Sequence, residues 1–280
     1  MATATSATTL DRAATRQRPS VGFGATLASE WTKLISARST YLTIGLAVAL
    51  AIGMTALISL AVGSTFSEWN AADQASFEPI SFSLAGLLFG GILIAVLGVN
   101  LVASEYSSGM IRLTLSATPQ RGRLLMAKVV LISLVAMVVT LVMTVGVLVI
   151  GQAVLGAYDM PTVPLTDPDA VRVIAAITLT APLFPLIGAT FAFLFRSTAT
   201  PITLVLALMF VPAMFGALFP DWWQENILSL LPGSAADSLA LSHLSDSRTY
   251  LDPVPAAAVV VAWLVITVGA AYVTLTRRDA

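Results

Sequence analysis

The residues of this chain that could carry chemistry are few, and none is spaced to perform it. Nucleotide hydrolysis needs a Gly-x-x-x-x-Gly-Lys-Ser/Thr loop whose amides and lysine cradle phosphate, and no such run occurs. Metal binding needs clustered ligands; His243 is the single His, it lies in a connecting segment, and there is no Cys. The lack of Cys also removes disulfides and thiolate nucleophiles. Proteolysis within a membrane would need a His–Ser pair, two membrane aspartates or a zinc motif, and the apolar segments contain none. Their hydroxyls, Ser133 among them, are expected to bond back to their own helices. Asn100 and Gln152 sit near the ends of apolar segments, where solvation at an interface accounts for them.

The elements that would have to position any site are membrane helices. The chain is 57% hydrophobic and 10% charged, whereas a soluble domain is roughly a quarter charged, so too little polar surface remains to solvate a globule. A net charge of −1 gives no reason to expect nucleic acid as a partner. Lys is scarce beside Arg, and Ala, Val and Leu dominate, in keeping with a bacterial gene rich in GC. Six charge-free windows are long enough to cross a bilayer: Ser39–Ser67, Pro79–Ser104, Val129–Tyr158, Val173–Phe195, Ser197–Pro220 and Pro253–Thr276. Spans are predicted near 41–62, 80–102, 128–154, 173–195, 200–219 and 254–275. They are continuously apolar rather than alternating, which selects helices over a barrel. The first follows too long a tail, and is itself too long, to be a signal core.

Every Lys and Arg except Arg172 and Arg248 falls in the tails or in the second and fourth connections. Basic residues stay in the cytoplasm, so both termini are predicted inside. The fold class expected is an all-α integral membrane protein of six spans. Residues 1–26 are predicted as a disordered cytoplasmic tail and 276–280 as a short one. The first and third connections are short and acidic, and Trp222 and Trp223 open a longer external piece, about 221–252, that suggests a short re-entrant or surface-lying helical pair. Pro182, Pro185, Pro201 and Pro212 can bend the fourth and fifth spans. Gly86 and Gly90 allow close helix approach, either within the bundle or between chains.

Two cytoplasmic segments stand out. Over 27–39, Leu27, Trp31, Leu34 and Ile35 share one helical face, with Glu30 and Lys33 off it, which reads as an amphipathic interfacial helix before the first span. After the second span, Tyr106, Met110 and Leu113 share a face, flanked by Ile111 and Leu115, and Thr118-Pro119 should end that helix. Its apolar face needs a cover, from this chain's own amino-terminal helix or from another protein.

Glu30-Trp31-Thr32-Lys33-Leu34-Ile35-Ser36-Ala37-Arg38-Ser39 resembles the amino-terminal segment of type-2 ABC transporter permeases of the actinobacterial kind. Glu105-Tyr106-Ser107-Ser108-Gly109-Met110-Ile111-Arg112 resembles that family's segment after the second span, and Leu124-Leu125-Met126-Ala127-Lys128 leads into the third. Met110 departs from the pattern, since many relatives carry Thr there. The resemblance implies the transmembrane permease subunit of an exporter in a bacterial plasma membrane. It would pair with a second permease, often identical, and be driven by a cytoplasmic ATPase subunit that binds the ATP, so the chain itself needs no cofactor. Glu105, Tyr106, Gly109, Met110, Ile111 and Arg112 would form the coupling helix that docks into the ATPase, with Glu105 and Arg112 as rim charges. Glu30, Trp31, Lys33, Leu34 and Arg38 would belong to the interfacial helix, which touches the ATPase as well. The alternative is a secondary transporter or channel that works without an ATPase, and the charge-free windows weigh against it.

Overall fold

A computed structural model describes residues 22–111, 120–241 and 245–277. Helices make up almost all of it, and six are long and apolar enough to cross a membrane. Among the described residues the α-helices with defined bounds are, in chain order, α1 Phe23–Ser36, α2 Arg38–Thr65, α3 Ala71–Ala75, α4 Pro79–Leu84, α5 Leu87–Ser107, α6 Arg121–Ala157, α7 Pro168–Thr180, α8 Leu183–Phe195, α9 Ala199–Phe215, α10 Asp221–Asn226, α11 Pro232–Ala240 and α12 Pro253–Arg277. Residues 1–21 of the tail expected to be disordered lie outside the described residues, but 23–26 already belong to α1.

The bundle is organised around α5, α6 and α8. These carry most of the fully buried side chains, including Val99, Val102, Leu125, Met143, Leu148, Ile187 and Phe193. One apolar core joins α5, α6 and α8 to α12 and α9; a second joins α1, α2, α5 and α6. The spanning windows of α2, α9 and α12 are less buried within the chain. At 37 residues, α6 is roughly 55 Å long and exceeds the ~30 Å of hydrocarbon in a bilayer. It starts at Arg121 rather than near 128, so its first two turns stand clear of the apolar stretch. The Nη1 group of Arg121 donates to the carbonyl of Leu275 (2.8 Å) and ties that extension to the end of α12.

Two spans expected to be continuous are broken. The second breaks at Ala85–Gly86, where α4 ends and α5 begins. Gly86 approaches α2 so closely that a Cβ there would strike the carbonyl oxygen of Ala51. The Thr55 hydroxyl donates to the Ser83 carbonyl (3.1 Å) beside this turn, so the interrupted helix keeps a buried acceptor satisfied. The fourth span breaks at Ala181–Pro182, one of the prolines expected to bend it. Gly90 also faces α2, through Ala47 and Ala51, so the Gly-x-x-x-Gly pair packs within the bundle.

At the opposite end from α1, Phe66, Trp69, Phe77 and Phe82 form an aromatic cap over Leu155 and Met160. Gln152 is not merely solvated. Its amide donates to Pro79 O (3.2 Å) and Ser83 Oγ (3.1 Å) and accepts from Val163 N (2.7 Å), joining three segments. The piece near 221–252 contains two short helices, α10 and α11, the second starting at Pro232, where the apolar run was expected to stop. It is pinned by the Trp263 indole on Leu230 O (2.9 Å) and by Arg172 on Leu239 O (3.1 Å). Helix back-bonding is seen at Thr180, Thr267 and Thr274, whereas Thr190 reaches across to Thr267 O (3.1 Å).

Gly98 is among the tightest points of the core, because a Cβ there would collide with the Pro185 backbone. Gly98→Ala is expected to cost about 1–3 kcal/mol through overpacking. Gly91→Ala, which meets open space, should leave the thermal midpoint of the detergent-solubilised protein unchanged or raise it slightly.

Candidate functional site

The windows that are free of charge give way at one end of the bundle to four ionisable side chains closed into a ring. Glu30 comes from α1 and Lys33 from the next turn of the same helix. Glu105 comes from the last turn of α5, and Lys128 from the second turn of α6. Lys33 Nζ lies 2.6 Å from Glu30 Oε1 and 2.8 Å from Glu105 Oε1. Lys128 Nζ lies 2.6 Å from Glu30 Oε2 and 2.9 Å from Glu105 Oε1. The signs alternate around the ring and cancel.

Burial makes the arrangement consequential. The side chains of Lys128 and Glu30 are each 4% exposed, and only Lys33, at 30%, reaches the surface. A buried charge is tolerable only when paired and hydrogen-bonded. Lys128 uses all its donors, the third pointing to Leu101 O at 3.4 Å. Burial works to raise the Glu30 carboxyl, but the charges and hydrogen bonds of Lys128 and Lys33 outweigh it and hold the group below its usual value. For Lys33 burial works downward, and the hydrogen bonds and charges of Glu105 and Glu30 lift the ammonium above its usual value. One acceptor is unmet: Oε2 of Glu105 is buried without a hydrogen-bond partner among the described residues.

This ring corrects one expectation. Glu105 does not stand on a surface as a rim charge; it is 6% exposed and braces three helices. On α1, the four apolar residues that share a face do not share one environment. Thr26, Glu30 and Leu34 face inward, Leu27 is half-buried, and Trp31 and Ile35 are exposed. The helix is turned to deliver a carboxylate to the lysine at the base of α6, leaving part of its apolar face outward. Helical periodicity shows which residues share a face but not which face meets the protein, and in a membrane protein the outward face can be the apolar one.

The remaining candidate residues cluster around the ring. Arg38 is the first residue of α2 and is exposed, as α1 breaks at Ala37. Tyr106 belongs to α5 rather than to a separate coupling helix, and its ring packs edge-on against Phe193 and beneath the Arg196 guanidinium, 5.8 Å from the centroid. Gly109 adopts φ +70, a left-handed turn that ends α5 and that side chains disfavour. A new helical segment starts at Met110 and Ile111, with Met110 43% exposed and Ile111 buried. Arg112, together with Leu113, Leu115 and Thr118-Pro119, lies outside the described residues. Sequence reasoning missed Lys128 as a site residue. Its signal was a lysine at the threshold of an apolar window with two acidic residues, Glu30 and Glu105, each in a singled-out segment.

A cavity of about 510 Å³ adjoins the ring, bounded by α1, α2, α5 and α6. Its walls pass from Ser36 and Ser108 at the chain-end face to Leu97 and Ile132 deeper in the bundle.

Six helices long and apolar enough to cross a membrane, closed at one end by a buried ionic brace, have the form of a multi-span membrane protein. The ABC-2 family transporter protein family matches residues 29–280, nearly the whole chain, and this protein belongs to that family of ABC transporter permeases. A search of curated proteins found no match.

Removing one corner of the ring should release α1. Lys128→Met leaves two buried carboxylates to share Lys33, at a cost of about 3–5 kcal/mol. Tryptic cleavage at Lys33 and Arg38 in the folded protein should accelerate, and Glu30→Gln combined with Lys128→Met should recover part of the protection. The pH dependence follows from the two shifts. The lowered Glu30 carboxyl contributes stability above the ordinary carboxylate range, about 4.3, and loses it as pH falls through the lowered value. The raised Lys33 ammonium contributes below about 10.4 and loses it as pH rises through the raised value. Docking of α1, read from Trp31 in a chain whose other Trp residues are replaced by Phe, should be flat at neutral pH and weaken at both extremes.

Proposed function

We propose that the chain is the transmembrane permease subunit of an ABC exporter, driven by a separate cytoplasmic ATPase. Membership of the ABC-2 family carries the reading. In support, the ring sits where α1, the end of α5 and the start of α6 converge, directly before the segment that opens at Met110. Two permeases, most simply identical copies, form the pathway between them. Both termini are cytoplasmic in a bacterial plasma membrane, in line with where the Lys and Arg residues fall. The outward residues Trp31 and Ile35 then rest in the lipid interface.

The coupling contact is the segment of Tyr106, Gly109, Met110, Ile111 and Arg112. Met110 is the exposed apolar group that enters the ATPase, while Gly109 sets the direction in which the segment leaves α5. Glu105 and Lys33 act one layer behind this contact. A displacement of the Met110 segment is passed through Glu105 to α1 and α6 together, since the same carboxylate oxygen is shared by Lys33 and Lys128.

Affinity purification of the tagged chain from its native membranes should bring with it a protein bearing a phosphate-binding Gly-Lys-Ser/Thr loop. Met110→Asp should lower that recovery about tenfold, the effect of about 1.4 kcal/mol, while the thermal midpoint of the permease stays unchanged. Transport that persists without any ATPase and collapses with an ionophore would instead support a secondary transporter.

A further inference from the structure

We propose that the cavity beside the ion ring is a binding site for an uncharged amphiphile whose head group both donates and accepts hydrogen bonds. The inference depends on the permease reading only in placing a bilayer around the bundle. At about 510 Å³ the cavity has the size of a small-molecule site, roughly 300–1,000 Å³. Its lining is graded. Leu97, Leu131 and Ile132 form an apolar deep end, and Ser36, Ser107 and Ser108 form a polar mouth at the end that holds α1.

Between these ends the polar groups are open. Asn100 lines the cavity half-buried, and its amide makes no hydrogen bond among the described residues. The hydroxyls of Thr40, which is 3% exposed, and of half-buried Thr43 likewise make none among the described residues. By contrast, Thr180, Thr267 and Thr274 satisfy themselves on their own helices. Amide and hydroxyl groups that line a cavity without a protein partner are free to bind one that enters it. A guest carrying hydroxyl or amide groups supplies one.

The charge of the guest is set by the ring. All four charged lining residues, Glu30, Lys33, Glu105 and Lys128, are committed to one another, with the two signs in equal number. A cationic or anionic head would compete with these ion pairs for its counter-charge. A neutral head leaves the ring intact and uses Asn100 and the hydroxyls.

The chain has no Cys, so a single introduced thiol reports the cavity without background. Thr43→Cys would be reconstituted in phosphatidylcholine vesicles without ATPase and labelled with N-ethylmaleimide, with Ala72→Cys in α3 as the water-exposed control. An octyl glycoside below its micellar concentration should slow labelling of the cavity thiol about tenfold at roughly ten times its Kd, and leave the control unaffected. Octyl sulfate and octyl trimethylammonium should not protect. Adding Asn100→Leu should abolish protection while the unprotected rate and elution volume stay the same. Protection by a glycosyl diacylglycerol incorporated in the vesicle identifies the bilayer as the source of the ligand; protection only by the water-added glycoside identifies the aqueous side. Equal protection by the charged octyl compounds, protection at the control thiol, protection that survives Asn100→Leu, or no protection by either glycoside would overturn the assignment. Because no ATPase is present, none of these results bears on the coupling contact.

Discussion

The structure depends on burying two glutamates and a lysine, with a second, part-exposed lysine beside them, at the edge of an apolar bundle. None of the three buried groups can be there alone: an isolated ion at this depth would shift its pKa or draw water in. The alternating ring solves this for all of them at once. It also fixes the geometry of three chain segments distant in sequence, because Glu30 must reach α6, and Glu105 must reach both lysines. The rest of the end face is arranged around that demand. The helix α1 turns a polar side inward, α5 ends at a left-handed Gly109 just beyond Glu105, and α6 extends past the apolar stretch to present Lys128.

Away from the ring, the bundle is held by close packing rather than by charge. Lipid offers helices no hydrophobic advantage in associating, so small residues and a few hydrogen bonds do the work. Gly86, Gly90 and Gly98 bring α5 and its break against α2 and α8 at distances no Cβ would permit. The carbonyls exposed where helices break are met by Thr55 and Gln152. The less buried spans, α2, α9 and α12, are those left to meet lipid or another chain.

The spans were legible because a bilayer imposes a rule that reads directly from sequence, the absence of charge over a sufficient length. Their breaks were less so. Proline marked the interruption at Pro182, but the turn at Gly86 arises from contact with α2, which no local pattern encodes. The two cytoplasmic segments that matter, around Glu30 and around Glu105, were visible as sequence, yet their roles were not. Periodicity placed Glu30 off the apolar face and hence toward water, while Lys128 was read as the outer limit of a span. Both inferences treat each residue separately. The pairing of Glu30 with Lys128 spans 98 positions, and only the fold brings them together.

If the ring holds α1, the end of α5 and the base of α6 together, the three move as one body. In the complex with its ATPase, spin labels on single cysteines introduced at Ser29 in α1 and Ser107 in α5 would report this directly by pulsed electron resonance. One narrow distance distribution that stays the same in nucleotide-free, ATP-bound and ADP-bound states is expected. A distribution that broadens or shifts by several ångströms between those states, in a complex that still transports, would contradict it.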